Sequence, residues 1–305
     1  MTIYTQIPPK TMAISSRLKK SVNRILNPLG YEIITTRQQR SEVARLQEAK
    51  SRGHWDEPRY AAGLSINDTA MLNLLERVGD AFRNDYDKLP RYREESSSEH
   101  SFHLNNSWFE SVDAEVLYGM IRLHKPARII EVGSGNSTKL MWKAISDGGL
   151  ETHVTSIDPQ PRIPIVHQSH EHIAARVETL AVTQIADQLN TGDILFIDSS
   201  HAVSSAGDIP YLFLEVLARL KPGVLVHIHD IFIPFDYPEL FIIDRQWKWT
   251  EQYLVHAFLA HNTAYEILWL ARYMWEYHRP AVELHIPSSS SLQITPSSLW
   301  IKRTS

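Results

Sequence analysis

The sequence predicts an α/β protein built on a doubly wound, mostly parallel sheet, preceded by a helical N-terminal extension. Three observations carry this. From Pro126 onward, short β-branched runs alternate with helical stretches; the first run ends at a glycine turn; and helices of ordinary length separate the runs. Strands spaced by helices imply βαβ units and hence parallel pairing.

The N-terminal part reads as helix and linker. Ile14, Leu18, Val22, Ile25 and Leu29 recur at helical spacing among Arg17, Lys19, Lys20 and Arg24, and Pro28 limits the stretch. A basic amphipathic helix over residues 13–29 suits either peripheral contact with an anionic membrane or docking on its own domain or a neighbouring subunit, as in a homo-oligomer. Further helices are expected over Ser41–Lys50 and Asp68–Phe82, and the charged, serine-rich Arg91–His100 reads as a mobile link. The expected division is a helical extension over residues 1–104 and a core domain over 105–305.

Within the core, Ala127–Val132 is the first strand and Thr152–Asp158 the second. Arg176–Leu180 is a weaker third, and Asp193–Asp198 and Val224–Ile231 are strong ones. A helix is expected over Val203–Leu220, stopped by Lys221-Pro222-Gly223. Tyr265–Leu270 and Leu299–Lys302 read as a late antiparallel edge, joined through a loop at Pro287–Ser298.

Bulk composition narrows the chemistry. The chain has 305 residues, 43% hydrophobic and 22% charged, with a net charge of −4, so broad attraction to nucleic acid is not expected. The absence of cysteine excludes disulfides, thiolate metal sites and cysteine nucleophiles. No apolar run approaches membrane-spanning length, and no signal-peptide pattern is seen, so a cytoplasmic location is expected, with membrane-peripheral contact as its variant.

A ligand in such a sheet lies beyond the carboxyl ends of the strands. The first strand ends in Glu131-Val132-Gly133-Ser134-Gly135-Asn136-Ser137-Thr138. Two glycines let the backbone approach a ligand, and Ser137 and Thr138 stand at a helix N-terminus that can take an anionic group. Asp158 ends the second strand, where a carboxylate can accept from two ribose hydroxyls. This pattern fits S-adenosylmethionine (SAM) or a nicotinamide dinucleotide. Thr138 in place of a third glycine favours SAM.

The stretch RIIEVGSGNSTKL resembles motif I of class I SAM-dependent methyltransferases, and SIDP resembles their second acidic motif. The run from GDILFIDSSHAV through VLVHIHDIFIPFDYP is similar to bacterial methyltransferases found beside sugar and polysaccharide biosynthesis enzymes, and the similarity covers roughly residues 105–303. The resemblance implies a seven-stranded Rossmann-like sheet of order 3-2-1-4-5-7-6 that ends in an antiparallel hairpin. It implies that Glu131, Gly133 and Gly135 line the methionine part of SAM, that Ser137 meets its carboxylate and that Asp158 holds the ribose. Val182 and Thr183, after the third strand, are assigned to the adenine edge.

Asp198, Ser199, Ser200 and His201 follow one central strand, and His227, His229 and Asp230 belong to the next. Two readings stand. Asp198 and Asp230 bind Mg²⁺, or Mn²⁺ or Fe²⁺ given the nearby histidines, and the metal holds a substrate diol; or, without metal, His201 or His229 acts as general base. His227 and His229 should share one strand face, and a histidine inside an apolar strand, such as His227, is commonly a hydrogen-bonded core residue. His103, Asn105, Asn106 and Trp108 precede the core and are expected to line the acceptor site. Trp247 and Trp249 read as packing or lid residues. The expected activity is SAM-dependent O-methylation of a hydroxylated small molecule or glycan. A SAM-binding protein without turnover, a nicotinamide oxidoreductase and a metal-dependent hydroxylase are the rivals.

Overall fold

The computed structural model describes residues 16–26, 28, 36–94, 98, 101–162, 171–291 and 294–305. Two compact units are present, Met1–His54 and Trp55–Ser305. In the first, helices α1 (Ser16–Leu26) and α2 (Thr36–Ser51) form. Val22 of the expected apolar stripe is half-buried and Ile25 is exposed; Ile14, Leu29 and the Leu18 side chain lie outside the described residues. Helix α2 is polar nearly all round, with a two-armed Arg45–Glu42 contact at 3.0 and 2.6 Å on its exposed face.

The second unit contains the sheet. Its elements run α3 (Asp68–Tyr86), α4 (Asp113–His124), β1 (Arg128–Val132), α5 (Asn136–Gly148), β2 (His153–Ile157), β3 (Glu171–Ile173), β4 (Ile194–Ile197), α6 (Asp208–Tyr211), β5 (Leu225–Ile228), α7 (Glu251–Leu259), β6 (Tyr265–Leu270), α8 (Ala271–Tyr277), α9 (Arg279–His285) and β7 (Leu299–Arg303). The strand order is β3-β2-β1-β4-β5-β7-β6, the arrangement expected. All pairs from β3 to β5 are parallel, and β7 runs antiparallel between β5 and β6. Residues 55–104, including α3, belong to the same compact unit as this sheet.

The central strands read as unbroken apolar runs because both of their faces are covered. Every residue of β4 and β5 is buried. The amino ends of β1 and β4 are tied by the Asp193 side chain, which accepts from the Arg128 amide at 2.8 Å and the Asn190 amide at 2.8 Å. Asp113, at the start of α4, accepts from the Ser297 and Ser298 amides at 2.8 and 3.0 Å and so sets where β7 begins.

Two expectations are corrected. The third strand is not Arg176–Leu180 but the three residues Glu171–Ile173 at the sheet edge, and Val177–Thr179 is a single 3-10 turn. Val177 and Leu180 drew the strand assignment by being apolar; they are packed on the core from that turn instead. The helix expected from Val203 starts only at Asp208, continuing as a π turn over Leu212–Val216 and a 3-10 turn over Leu217–Arg219. Asp208 accepts from the Ser200 amide at 2.9 Å and its hydroxyl at 2.6 Å, which folds residues 200–207 into a loop. The segment joining β6 to β7 also carries α8 and α9 as well as the expected loop, of which 292–293 lie outside the described residues. The same holds for 95–97 and 99–100 of the expected link.

The crossing of α3 and α4 depends on Gly119. A Cβ there would lie 2.7 Å from the Tyr86 hydroxyl and 2.9 Å from Val78 Cβ. Alanine gains about 1 kcal/mol of helix propensity over glycine, whereas overpacking a buried contact costs about 1–3 kcal/mol. The close contact should dominate. Gly119→Ala is expected to lower the thermal midpoint followed by circular dichroism; an unchanged or raised midpoint would show that the two helices part without cost.

Candidate active site

The parallel strands end level. Val132 pairs with Ile157 and Ile197, and Ile197 with Ile228. One residue further along each chain therefore stand Gly133, Asp158, Asp198 and His229, side by side along the carboxyl edge. Antiparallel β7 pairs Leu299 with Ile228, and the Ile231 amide donates to the Ser297 carbonyl at 2.8 Å, so Ser297 and Ser298 join the same edge.

The glycine turn has two glycines with different reasons. Gly133 has φ +79°, and a Cβ on it would lie 1.8 Å from the Asp198 carbonyl oxygen. No side chain fits, and the turn is pressed against the end of β4. Gly135 faces open space: a Cβ there would meet nothing within 4 Å. Beneath the turn, Glu131 is fully buried and accepts from the hydroxyls of Ser137 (2.7 Å), Thr138 (2.7 Å) and Ser156 (2.9 Å). The Gly135 amide donates to the Thr138 hydroxyl oxygen at 3.0 Å. Thr138, where a dinucleotide pattern has glycine, is thus part of the internal scaffold of the turn. Glu131 and the Ser137 hydroxyl face each other, so the group that Ser137 can offer outward at the start of α5 is its backbone amide.

Asp158 is half-exposed beside the turn. Its Oδ2 accepts from the Ser134 amide (3.0 Å) and hydroxyl (2.8 Å), and its Oδ1 from the Gln160 amide (2.8 Å). Val182 and Thr183 lie on a 3-10 turn after β3, Val182 half-buried against the core and Thr183 exposed.

Three side chains from the segments that follow β4 and β5 converge. His201 Nε2 lies 3.4 Å from Asp198 Oδ1 and 3.5 Å from Asp230 Oδ2. Asp198, His201 and Asp230 offer ligand atoms within 4.8 Å of one another, the geometry of a candidate divalent-cation site. The two carboxylates are partly exposed while the imidazole is buried. Strand β5 ends at Ile228, so Asp230 is freed from strand alternation and turns toward His201 with φ +57°. His201 is itself left-handed at φ +56°, and its carbonyl accepts from the Thr250 and Glu251 amides at 2.8 and 3.1 Å. Nδ1 of the same ring lies 2.9 Å from Oε2 of the fully buried Glu251.

The charges follow from these contacts. Burial works against a charged His201, but its bonds to Asp198 and Glu251 and the charge of Asp230 outweigh it and hold the imidazole well above the ordinary histidine range. Burial alone would raise Asp198; the positive rings of His229 and His201 instead pull it below the ordinary carboxylate range. For His229 burial is overcome by Asp230, Asp198 and Asp113, and its pKa is raised.

His227 and His229 do share a face, with rings 5.8 Å apart, but their surroundings differ. His227 is stacked on Phe196 at 4.0 Å and its Nε2 is 2.9 Å from the Ser298 hydroxyl, while burial depresses its pKa strongly. It is a core residue, as the apolar setting suggested. His229 lies 4.9 Å from the Phe109 ring and 3.9 Å from Asp230.

The segment before α4 reaches this edge through Phe109. Asn106 organises it: its Nδ2 donates to the carbonyls of His103 (2.8 Å) and Phe109 (2.7 Å), and its Oδ1 accepts from the amides of Trp108 (3.0 Å) and Phe109 (2.8 Å). The Asn136 side chain, at the start of α5, donates to the same oxygen at 3.0 Å. Asn106 therefore fixes the loop against the glycine turn. Asn105 and Trp108 are exposed, with Arg162 over the Trp108 ring at 4.4 Å, and His103 is half-buried with its pKa lowered by burial. On the other side, Trp249 touches His201 at 4.5 Å and Trp247 at 4.5 Å, giving an aromatic wall beside the three-residue cluster. Glu251, Asp113 and the Trp249 contact were not singled out by sequence reasoning. Thr250-Glu251 carries a helix-start signal, but nothing in it points to His201.

Residues 130–231 match a family model described as a methyltransferase domain. No curated protein matches the chain. Among solved structures, an O-methyltransferase from Bacillus cereus in complex with SAH is 12% identical, over 87% of this chain and 99% of that one, with a TM-score of 0.39. The SAH-bound methyltransferase from Podospora anserina is 13% identical, over 90% and 100%, with a TM-score of 0.34. The cmcI-D160 protein with Mg and SAM is 15% identical, over 73% and 84%, with a TM-score of 0.38.

Burial holds the Glu131 carboxyl near pH 7, against the three hydroxyls that favour its charge. A carboxyl whose pKa is raised by folding stabilises the fold most below its unfolded value, and that contribution is lost as pH rises through the folded value. The thermal midpoint should therefore fall between about pH 4.5 and 7 and level off above. Glu131→Gln, which cannot ionise, is expected to flatten this slope; an unaltered pH profile would contradict the assignment.

Proposed function

We propose that this chain, whose fold is that of the class I SAM-dependent methyltransferases, transfers a methyl group from SAM to a hydroxyl of a small molecule or glycan held at a divalent cation. The observation that carries the reading is the meeting of the glycine turn with the Asp198–His201–Asp230 cluster at one sheet edge, through the Gly133–Asp198 contact.

The residues suit both groups. For the cofactor, Gly135 leaves its side of the turn open and the amides at the start of α5 face an incoming carboxylate. Asp158 has four acceptor sites, three of them already used by Ser134 and Gln160, so two ribose hydroxyls require the Ser134 hydroxyl to rotate away. Val182 and Thr183, on the 3-10 turn after β3, are assigned to the adenine edge in this reading. For the cation, two carboxylates and one imidazole provide a mixed oxygen and nitrogen set, which favours Mn²⁺ or Fe²⁺ more than a purely carboxylate set does. SAM supplies an electrophilic methyl group, and the cation lowers the pKa of a coordinated hydroxyl.

The remaining work falls to the chain itself. Asp198, His201 and Asp230 fix where the acceptor oxygen stands, and in-line displacement depends on that position. Trp249 packs on the His201 ring at 4.5 Å and Phe109 lies 4.9 Å from the His229 ring, so the two aromatic rings bound this edge on either side. Trp108, Asn105 and His103 stand on the loop that Asn106 ties to the glycine turn, where they can bear on the acceptor.

Calorimetric titration of metal-free protein with SAM, repeated with NAD⁺, tests the cofactor assignment. SAM is expected to bind and NAD⁺ to give no heat. Asp158→Ala should weaken SAM by at least about tenfold, the loss of charge-assisted hydrogen bonds, whereas Ser134→Ala should leave affinity equal or better. If Ser134→Ala weakens SAM as much as Asp158→Ala, Asp158 only braces the loop. Absence of SAM binding to the unaltered protein would overturn the function.

A further inference from the structure

We infer that Glu251 is a positioning residue that makes His201 a cation ligand by fixing its tautomer. The inference deepens the proposed function and rests on the cluster being a metal site.

An imidazole binds a cation only through a nitrogen that carries no proton, so a ligating ring needs its other nitrogen to hold the hydrogen. Glu251 provides for this. Its Oε2 lies 2.9 Å from His201 Nδ1, and with that carboxylate oxygen accepting, Nδ1 is the nitrogen that donates. Nε2 is then the nitrogen left to face Asp198 Oδ1 and Asp230 Oδ2, at 3.4 and 3.5 Å. Both partners are out of water: Glu251 is fully buried and His201 is 6% exposed. A buried carboxylate is expensive unless it is used, and its second oxygen, Oε1, has no hydrogen-bond partner.

The backbone supports the same geometry. Glu251 is the first residue of α7, and the Thr250 and Glu251 amides both donate to the His201 carbonyl. The Thr250 hydroxyl oxygen accepts from the Val203 amide at 2.8 Å, which closes the loop from the far side of His201. Trp249 packs on the imidazole at 4.5 Å and limits its rotation. The left-handed backbone of His201 is unfavourable for a residue with a Cβ, and these three ties are what hold it. Helix α7 thus presents its first turn as a fixed support behind one ring. A carboxylate behind a ligating histidine is worth roughly 10- to 100-fold in metal affinity where it has been removed from other proteins.

Mn²⁺ binding to the full chain, followed by the loss of the free-ion EPR signal, tests this without reference to turnover. Glu251→Ala is expected to weaken Mn²⁺ by about 10- to 100-fold, and Glu251→Gln, whose amide oxygen can keep the bond without the charge, by less. His201→Ala should weaken it also, and His201→Ala with Glu251→Ala should be no weaker than His201→Ala alone. In pulsed EPR, the bound ion should couple to an imidazole nitrogen in the unaltered protein and lose that coupling in His201→Ala. Equal affinity in the folded Glu251→Gln and Glu251→Ala variants, or additive losses in the double variant, would overturn the role of Glu251. Mn²⁺ bound without nitrogen coupling would overturn it while leaving a carboxylate metal site. No Mn²⁺ binding at all would remove both the metal reading and this inference.

Discussion

The site depends on strand register. Because β1, β2, β4 and β5 are parallel and end level, the first residue beyond each strand falls in one row, and four unrelated sequence segments deliver Gly133, Asp158, Asp198 and His229 to a single edge. A shift of one residue in any pairing would turn a carboxylate away from the row. The register is held where the strands begin, by Asp193 under β1 and β4, and where β7 returns, by Asp113. Those two buried acids lie outside the proposed chemistry, yet the chemistry stands on them.

Polar groups at this edge are connected in a graded way. Glu131 sits beneath the glycine turn and accepts from three hydroxyls, which ties the turn down where a cofactor would rest. Asp158 is half-exposed and held by Ser134, a bond that a ligand can replace. Asp198 and Asp230 stand 3.4 and 3.5 Å from His201 Nε2, so three ligand atoms gather at one point of the edge. His201 and Asp230 both have left-handed backbones, and such strain concentrates at functional sites.

Much of this was legible in the sequence, and for identifiable reasons. Strands β1, β4 and β5 are covered on both faces and so stand out as apolar runs. The glycine turn and the acids at the strand ends are local patterns and could be read as such. β3 was misplaced because an edge strand of three residues with a single apolar side chain, Glu171-His172-Ile173, carries too short an apolar signature, whereas Val177 and Leu180 draw the eye. The start of α6 was misplaced because Asp208 folds the preceding loop through Ser200, a contact that periodicity does not report. Asn106, read from the sequence as lining the acceptor site, also organises its own loop, which sequence spacing does not report. Glu251 could not be found at all: it lies 50 residues from His201, and only the packing of α7 against the loop after β4 joins them.

The central claim is that one sheet edge holds both a SAM-type cofactor and a divalent cation. Crystals grown with SAH and Mn²⁺, with anomalous diffraction collected at the manganese edge, test it most directly. The account predicts a single strong peak within bonding distance of Asp198, Asp230 and His201 Nε2, with SAH lying across the Gly133–Gly135 turn and its ribose on Asp158. SAH in place with no anomalous peak at the cluster would contradict the cation, and density for neither would contradict the site.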